Sequence, residues 1–276
     1  MYATAYAKLN LSLAVLGLCG DGFHEIDSEV QTIDLCDRLT IAFPAARDEV
    51  TSAPSLPGEN IVGRAATALR RRKGFVEGVR VHIEKRIPAG AGLGGGSSDA
   101  AAVLRVLDRL TPPELALDEL CEIGAEVGSD VPLFLHGGRL RVTGRGQRVR
   151  TYDDPVKERF VVAVPPVHCA TAAIYDRWDA LGGVDEAPTG VGSRGENDLL
   201  RPALDLHRGL LTYYEAIGAL GAEYWGMSGS GSAFFAAFRK EGVARRVGVR
   251  LNRRFESAQV FVCRPTTAGC CVLEGS

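Results

Sequence analysis

The sequence predicts an α+β protein in two halves. Strand patterns, in which polar and apolar residues alternate, mix with helix patterns without the regular strand–helix–strand rhythm of a doubly wound sheet. A charged, proline-containing stretch, YDDPVK at 152–157, divides the chain into residues 1–155 and 156–276. Each half carries one loop of small residues, PAGAGLGGGSS at 88–98 and MSGSGS at 227–232.

The elements follow in order. From Thr4 to Val15 the period is two: Thr4, Tyr6, Lys8, Asn10 and Ser12 fall on one side, and Ala5, Ala7, Leu9, Leu11 and Leu13 on the other. This predicts a strand with one buried and one polar face. The loop GLCGDGFHEI (17–26) leads to one or two strands over 28–43. Residues 47–60 contain proline and glycine and read as a surface loop. Ile61–Arg72 has helical spacing, and Val79–Lys85 alternates as a strand. Ser97–Leu110 is a second helix, with hydroxyls and Asp99 as caps. Leu117–Val127 is a third, closed by Gly128. SDVPLFLHGG (129–138) precedes a hairpin over 139–149. In the second half, 160–166 is a strand, 170–181 a helix and 186–198 a long loop. A helix is expected at 206–220, a strand after the 227–232 loop, a helix at 243–255 and a last strand at 259–265.

Composition narrows the function. The 276 residues are 46% hydrophobic and 24% charged, with 32 basic against 34 acidic residues and a net charge of −2. That balance gives no reason to expect nucleic acid or an anionic membrane as partner. The 7 cysteines are an odd number and scattered, with no C-x-x-C pair, so reduced thiols in a cytoplasm are the simplest account. Lys8 and Asn10 interrupt the apolar N-terminus, which therefore does not read as a signal peptide, and no run reaches the roughly 20 apolar residues of a membrane span.

The loop at 88–98 is the strongest chemical signal. Glycines let backbone amides approach a ligand closely, and a helix start carries about half a positive charge, so together they make a phosphate cradle. Simple loop-to-helix packing is the competing account. Gly90, Gly92 and Gly95 satisfy G-x-G-x-x-G, but no acidic residue ends a following parallel strand, as a dinucleotide fold requires. A Walker loop fails too, because Gly96 and Ser97 stand where Lys and Ser/Thr belong.

Pro88-Ala89-Gly90-Ala91-Gly92-Leu93-Gly94-Gly95-Gly96-Ser97-Ser98 resembles the ATP-binding loop of the GHMP kinases, AKLNLSL (7–13) their first motif and MSGSGSAFF (227–235) their third. The resemblance spans essentially the whole chain. It implies an N-terminal ribosomal protein S5 domain 2-like domain and a C-terminal α/β-sandwich, ferredoxin-like domain, with the active site between them. DGFHE (21–25), the QTID strand (31–34), EVGSDVPLFLHGG (126–138) and ENDL (196–199) resemble the branch that phosphorylates a cytidine-diphosphate-bearing methylerythritol in non-mevalonate isoprenoid synthesis.

What the resemblance implies for each residue stands beside its plainer reading. On spacing alone Lys8 is a solvated lysine; the resemblance places it beside the acceptor hydroxyl, orienting the catalytic carboxylate. Asp130, before Val131-Pro132, is by local pattern a turn or cap residue, and by resemblance the general base. Ser97 and Ser98 serve as helix caps or, by resemblance, bind ATP phosphates, with Ser98 a candidate Mg²⁺ ligand. Asn10 would hold the acceptor. Phe23 would stack on cytosine, His24 would hydrogen-bond it, and Tyr175 is the candidate second ring, though equally a plausible core residue. Gly229 and Gly231 form a tight turn or, by resemblance, lie near the acceptor's phosphates. The implied activity is ATP- and Mg²⁺-dependent phosphoryl transfer to an alcohol. A GHMP kinase acting on homoserine, mevalonate or a sugar, and a non-catalytic nucleotide-binding protein on the same scaffold, are the alternatives. Closure of the 184–197 loop over substrate is left open.

Overall fold

Two long strands organise the first half. The computed structural model describes residues 1–20, 22–55, 60–154, 156–183 and 192–273. β1 (Tyr2–Leu18) runs antiparallel to β2 (His24–Ala45) along nearly its full length. β2 takes two partners on its other edge: β4 (Gly78–Glu84) beside residues 38–45 and β5 (Arg139–Gly144) beside residues 26–31. β6 (Arg148–Thr151) completes a hairpin with β5, and β3 (Glu49–Ala53) lies parallel to β4. Four helices, α1 (Ile61–Lys73), α2 (Gly95–Leu110), α3 (Leu117–Val127) and α4 (Val131–His136), share one apolar core with this sheet.

The second half folds on four antiparallel strands, β7 (Arg159–Val164), β8 (Tyr224–Met227), β9 (Phe234–Phe238) and β10 (Gln259–Cys263), in the order β10-β7-β9-β8. Helices α5 (Thr171–Ala180), α6 (Leu200–Leu206) and α7 (Leu210–Gly218) connect β7 to β8, and α8 (Glu241–Arg254) connects β9 to β10. That order and connectivity are ferredoxin-like. A last strand, β11 (Cys270–Leu273), returns to pair with β1, so the C-terminus belongs to the first sheet.

The halves share a core. Ala7, Leu9 and Leu11 of β1, with Ile33, Ile87 and Leu93, pack against Phe160, Val162, Phe235 and Ala237 of the second sheet. β1 is thereby buried on both faces from Ala7 to Ala14. The polar face expected to meet water does not: Lys8, Asn10 and Ser12 are 4%, 6% and 0% exposed. A bulge between Asn10 and Ser12 re-aims the strand at this point.

Several expectations shift. The loop over 47–60 contains β3, whose Val50 packs on the core, so a five-residue strand hides in a segment read by its prolines; residues 56–59 lie outside the described residues. The helix expected over 206–220 is α7, which begins only at Leu210 and ends at Gly218, and α6 over Leu200–Leu206, just before it, was not anticipated. β11 was not anticipated. Ser97 and Ser98 do not cap α2: Gly94, at φ +72°, is its N-cap, and the serines sit inside the first turn. The expected division at 155/156 falls on the link between β6 and β7, and Pro155 lies outside the described residues.

Phe160 is fully buried in the shared cluster. Phe160→Ala is expected to cost about 3–5 kcal/mol, read as a lower urea midpoint. A midpoint unchanged from the parent would show that the two sheets do not depend on this cluster.

Candidate active site

A cleft of about 600 Å³ opens where the small-residue loops of the two halves meet. Lys8 and Asn10 rise into it from β1, Gly92, Gly94 and Ser97 from the glycine-rich loop and the start of α2, and Asp130 from the start of α4. Phe23 comes from the β1–β2 loop, His24 from the first position of β2, Tyr175 from α5 and Gly229 from the β8–β9 loop.

Hydrogen bonds fix the floor. The Lys8 backbone N–H donates to Leu93 O at 3.0 Å, tying β1 to the loop. The Lys8 ammonium donates to Asn10 Oδ1. Asn10 Nδ2 donates to Ser28 Oγ at 2.8 Å, so the amide is held from both ends. Burial pushes the Lys8 ammonium below its ordinary pKa, and the Asp130 charge across the cleft pulls it back part of the way. Asp130 is the N-cap residue of α4, yet its side chain makes no capping hydrogen bond. The carboxylate is thus left to the cleft rather than spent on the helix.

The glycines here answer to close packing. A Cβ on Gly92, at φ +73°, would lie 2.1 Å from Ser228 O, and one on Gly94 would lie 2.7 Å from the Phe134 ring. A side chain at either position would push the loop off its supports.

The remaining expected residues divide. Ser97 lines the cleft, whereas Ser98 is fully buried with its hydroxyl on Gly269 O at 3.4 Å. Of the two loop serines it is thus Ser97 that lines the cleft, while Ser98, the candidate Mg²⁺ ligand, is turned to Gly269 O. Tyr175 stacks on His24 at 4.6 Å between ring centres, and His24 Nε2 meets Asp179 Oδ1 at 2.9 Å. Burial, with the nearby Asp130 charge, raises the Tyr175 phenol well above its ordinary pKa. Phe23, 54% exposed, lies under the Arg145 guanidinium at 5.1 Å. Gly231 packs toward Met227 and Cys169, away from the cleft lining, and Pro88, Ala89, Gly90, Ala91, Leu93, Gly95 and Gly96 shape the loop without lining the cleft.

Sequence reasoning missed Arg145, Ser129, Thr171, Asp176 and Ser230, which also line the cleft. The Gly144-Arg145-Gly146 turn was the available signal for Arg145. It also missed the role of Asn197, whose amide donates to Met227 O and Gly229 O at 2.8 and 2.9 Å and so shapes the second loop. Residues 184–191 of the loop raised as a closing element lie outside the described residues.

Under the glycine-rich loop, Lys85 pairs with Asp37 and, at 2.7 Å, with Asp99. Burial raises Asp99 to about 7 against the opposing charge of Lys85, with Asp37 adding a like charge. The folded protein therefore holds a proton that the unfolded chain releases. This group's contribution to stability is present at low pH and is lost as pH rises from about 4 to about 7. Between about pH 5 and pH 8 the melting temperature of the parent is expected to fall more than that of Asp99→Asn; identical slopes would remove Asp99 as the titrating group.

Comparison with known proteins agrees with the geometry. Residues 60–138 match the GHMP kinases N terminal domain, and residues 190–257 match GHMP kinases C terminal. A 4-diphosphocytidyl-2-C-methyl-D-erythritol kinase of Bacillus pumilus is 44% identical over 64% of this chain and 62% of its own length. That of Bacillus licheniformis is 35% identical over 88% of this chain and 90% of its own. The crystal structure of a 4-(cytidine 5'-diphospho)-2C-methyl-D-erythritol kinase superimposes with a TM-score of 0.77 at 34% identity, covering 95% of this chain and 99% of that one. A homoserine kinase from Cytophaga hutchinsonii, at 17% identity, shares the fold with a TM-score of 0.70, covering 99% and 97%.

Proposed function

The chain belongs to the 4-diphosphocytidyl-2-C-methyl-D-erythritol kinases of the GHMP kinase family, and we propose that its cleft transfers the γ-phosphoryl group of ATP to the C2 hydroxyl of that cytidine compound. The observation that carries the reading is the meeting of Lys8 and Asp130 in one cleft with the glycine-rich loop on one side and Phe23, His24 and Tyr175 on the other.

Phosphoryl transfer passes through a loose transition state, so the protein's work is alignment and charge stabilisation. The acceptor oxygen attacks the γ-phosphorus, the bond from that phosphorus to the β–γ bridging oxygen breaks, and ADP leaves with the electron pair. Asp130 takes the hydroxyl proton. Lys8, held by Asn10, places a positive charge beside the oxygen as it loses that proton, and its burial strengthens the interaction. The loop amides and Ser97 cradle the phosphates.

Magnesium belongs to the same reading. Among the described residues no group of three or more His, Cys, Asp or Glu side chains is set to hold an ion. Mg²⁺ is carried largely by substrate phosphates and water, and Ser97 is the loop serine that lines the cleft. When bound, the ion neutralises charge developing on the phosphates. On the acceptor side, Phe23 offers an exposed ring face to a base. Tyr175 is already covered by His24, so the base would stack between Phe23 and the His24–Tyr175 pair rather than between two free rings.

Among the described residues no helix is long and apolar enough to cross a membrane. ADP release with Mg-ATP, measured in parallel on the cytidine compound, homoserine, mevalonate and galactose, tests the assignment. Turnover on the cytidine compound alone is expected, and turnover on another acceptor instead would discard the cytosine pocket. Asp130→Asn should lower kcat by about 10²–10⁴-fold with little change in KM for ATP; a loss of only a few-fold removes Asp130 as the base. Phe23→Ala should weaken acceptor binding by about 1–3 kcal/mol, the value of a base–aromatic stack, and leave ATP binding unchanged. Equal effects on both substrates would count against stacking.

A further inference from the structure

The charged cluster beneath the glycine-rich loop has no part in the transfer chemistry, yet it is more thoroughly buried than the cleft above it. The Lys85, Asp37 and Asp99 side chains are 6%, 0% and 3% exposed. Their attachment points are specific. Lys85 follows the last residue of β4, and Asp37 Oδ1 accepts from the backbone N–H of Arg86 at 2.5 Å and of Ile87 at 2.9 Å, so both grip the chain where the loop begins. Asp99 lies in α2, just past the point where the loop ends, and its Oδ2 accepts from Lys85. Gly95 closes over the cluster: a Cβ there would sit 3.0 Å from Ile87 Cγ2 and 3.3 Å from Lys85 Nζ.

The arrangement matters because of what it spans. Glycine loses more conformational freedom on ordering than any other residue, so a loop this rich in glycine is costly to hold in one shape. Joining its two ends through one ammonium removes much of that freedom before any ligand arrives. The first amides of α2, which have no intrahelical partners, are then fixed relative to the stem at Ile87.

We propose that Asp37, Lys85 and Asp99 are positioning residues for the nucleotide: a buried clamp that sets the two ends of the glycine-rich loop at the spacing its amides need to receive a polyphosphate. The clamp rests on the reading that this loop binds ATP.

Electrostatics alone makes the opposite prediction. Above about pH 7, where Asp99 is ionised with the other two groups, the cluster carries one net negative charge below the phosphate site, so deleting the Asp99 carboxylate would relieve repulsion and tighten ATP. Removing the clamp should instead loosen it. Asp99→Ala and Asp99→Asn separate the two, because Asn loses the charge but keeps an oxygen for Lys85.

Mg-ATP binding is measured by titration calorimetry on each folded variant, and KM for ATP and for the acceptor are measured separately. The expected result is an ATP affinity about 10-fold weaker in Asp99→Ala, within about 2-fold of the parent in Asp99→Asn, with acceptor KM unchanged in both. Should the alanine variant not fold, Asp99→Ser takes its place, its hydroxyl too short to reach Lys85. ATP binding in the alanine or serine variant equal to or tighter than the parent, equal losses in Asn and Ala, or parallel losses for both substrates would each overturn the clamp. A parent that gives no heat with Mg-ATP would overturn the nucleotide reading itself, and the clamp with it.

Discussion

Ser228 is the contact on which the cleft depends. Its hydroxyl accepts from the backbone N–H of Asn10 at 3.1 Å and donates to Gly92 O at 3.0 Å. One side chain from the second half thus holds both the strand that carries Lys8 and the glycine-rich loop. The contact exists only because Gly92 lacks a side chain, since a Cβ there would collide with Ser228 O. The opposing constraint comes from residues 195–198: Gly195 N–H donates to Leu11 O at 2.7 Å and Leu13 N–H to Glu196 O at 3.0 Å. Asp198 then accepts from Val15 N–H at 2.8 Å. The two halves are joined along β1 itself, so the geometry of the cleft is inherited from a strand rather than from a hinge.

Joining the halves along β1 has an electrostatic consequence. A strand with both faces buried must take its polar residues out of water, and a lysine so placed is costly unless charge and hydrogen bonds compensate. Here Asn10 supplies the hydrogen bond and Asp130 the charge. The pairing holds Lys8 in one orientation without neutralising it through a direct, fully buried ion pair, which leaves its charge directed at the cleft.

The period of two over Thr4–Val15 was enough to find the strand and to sort its faces. It misassigned the environment of one face, because alternation reports which residues share a side and says nothing about whether another sheet covers that side. Three of the four helices of the first half were legible for the usual reasons, α4 being only six residues long: Asn60 caps α1 by accepting from Val62 N–H, and Gly74, at φ +77°, ends it. β3 and β11 were not legible, being five and four residues long and stabilised by partners distant in sequence. The residues gathered in the cleft came largely from motif resemblance, since Lys8, Asn10 and Asp130 are unremarkable in their local contexts. Lys85 and Asp37 escaped notice for the same reason: each is an ordinary strand or turn residue until the fold brings them together with Asp99.

The glycines of the loop carry two properties that pull in different directions. Their freedom would leave the loop without a fixed shape, yet the absent side chains let it pack at distances no other residue permits. Gly90 lies against His168, Gly92 against Ser228, Gly94 against Phe134 and Gly95 against Ile87 and Lys85. Neighbours from four different parts of the chain therefore press on one short segment, and its left-handed positions at 90, 92 and 94 are held by packing rather than by hydrogen-bonded secondary structure. A nucleotide meeting this loop would find its amides already arranged, and the ordering cost that glycine imposes would have been met on folding by contacts that only glycine allows.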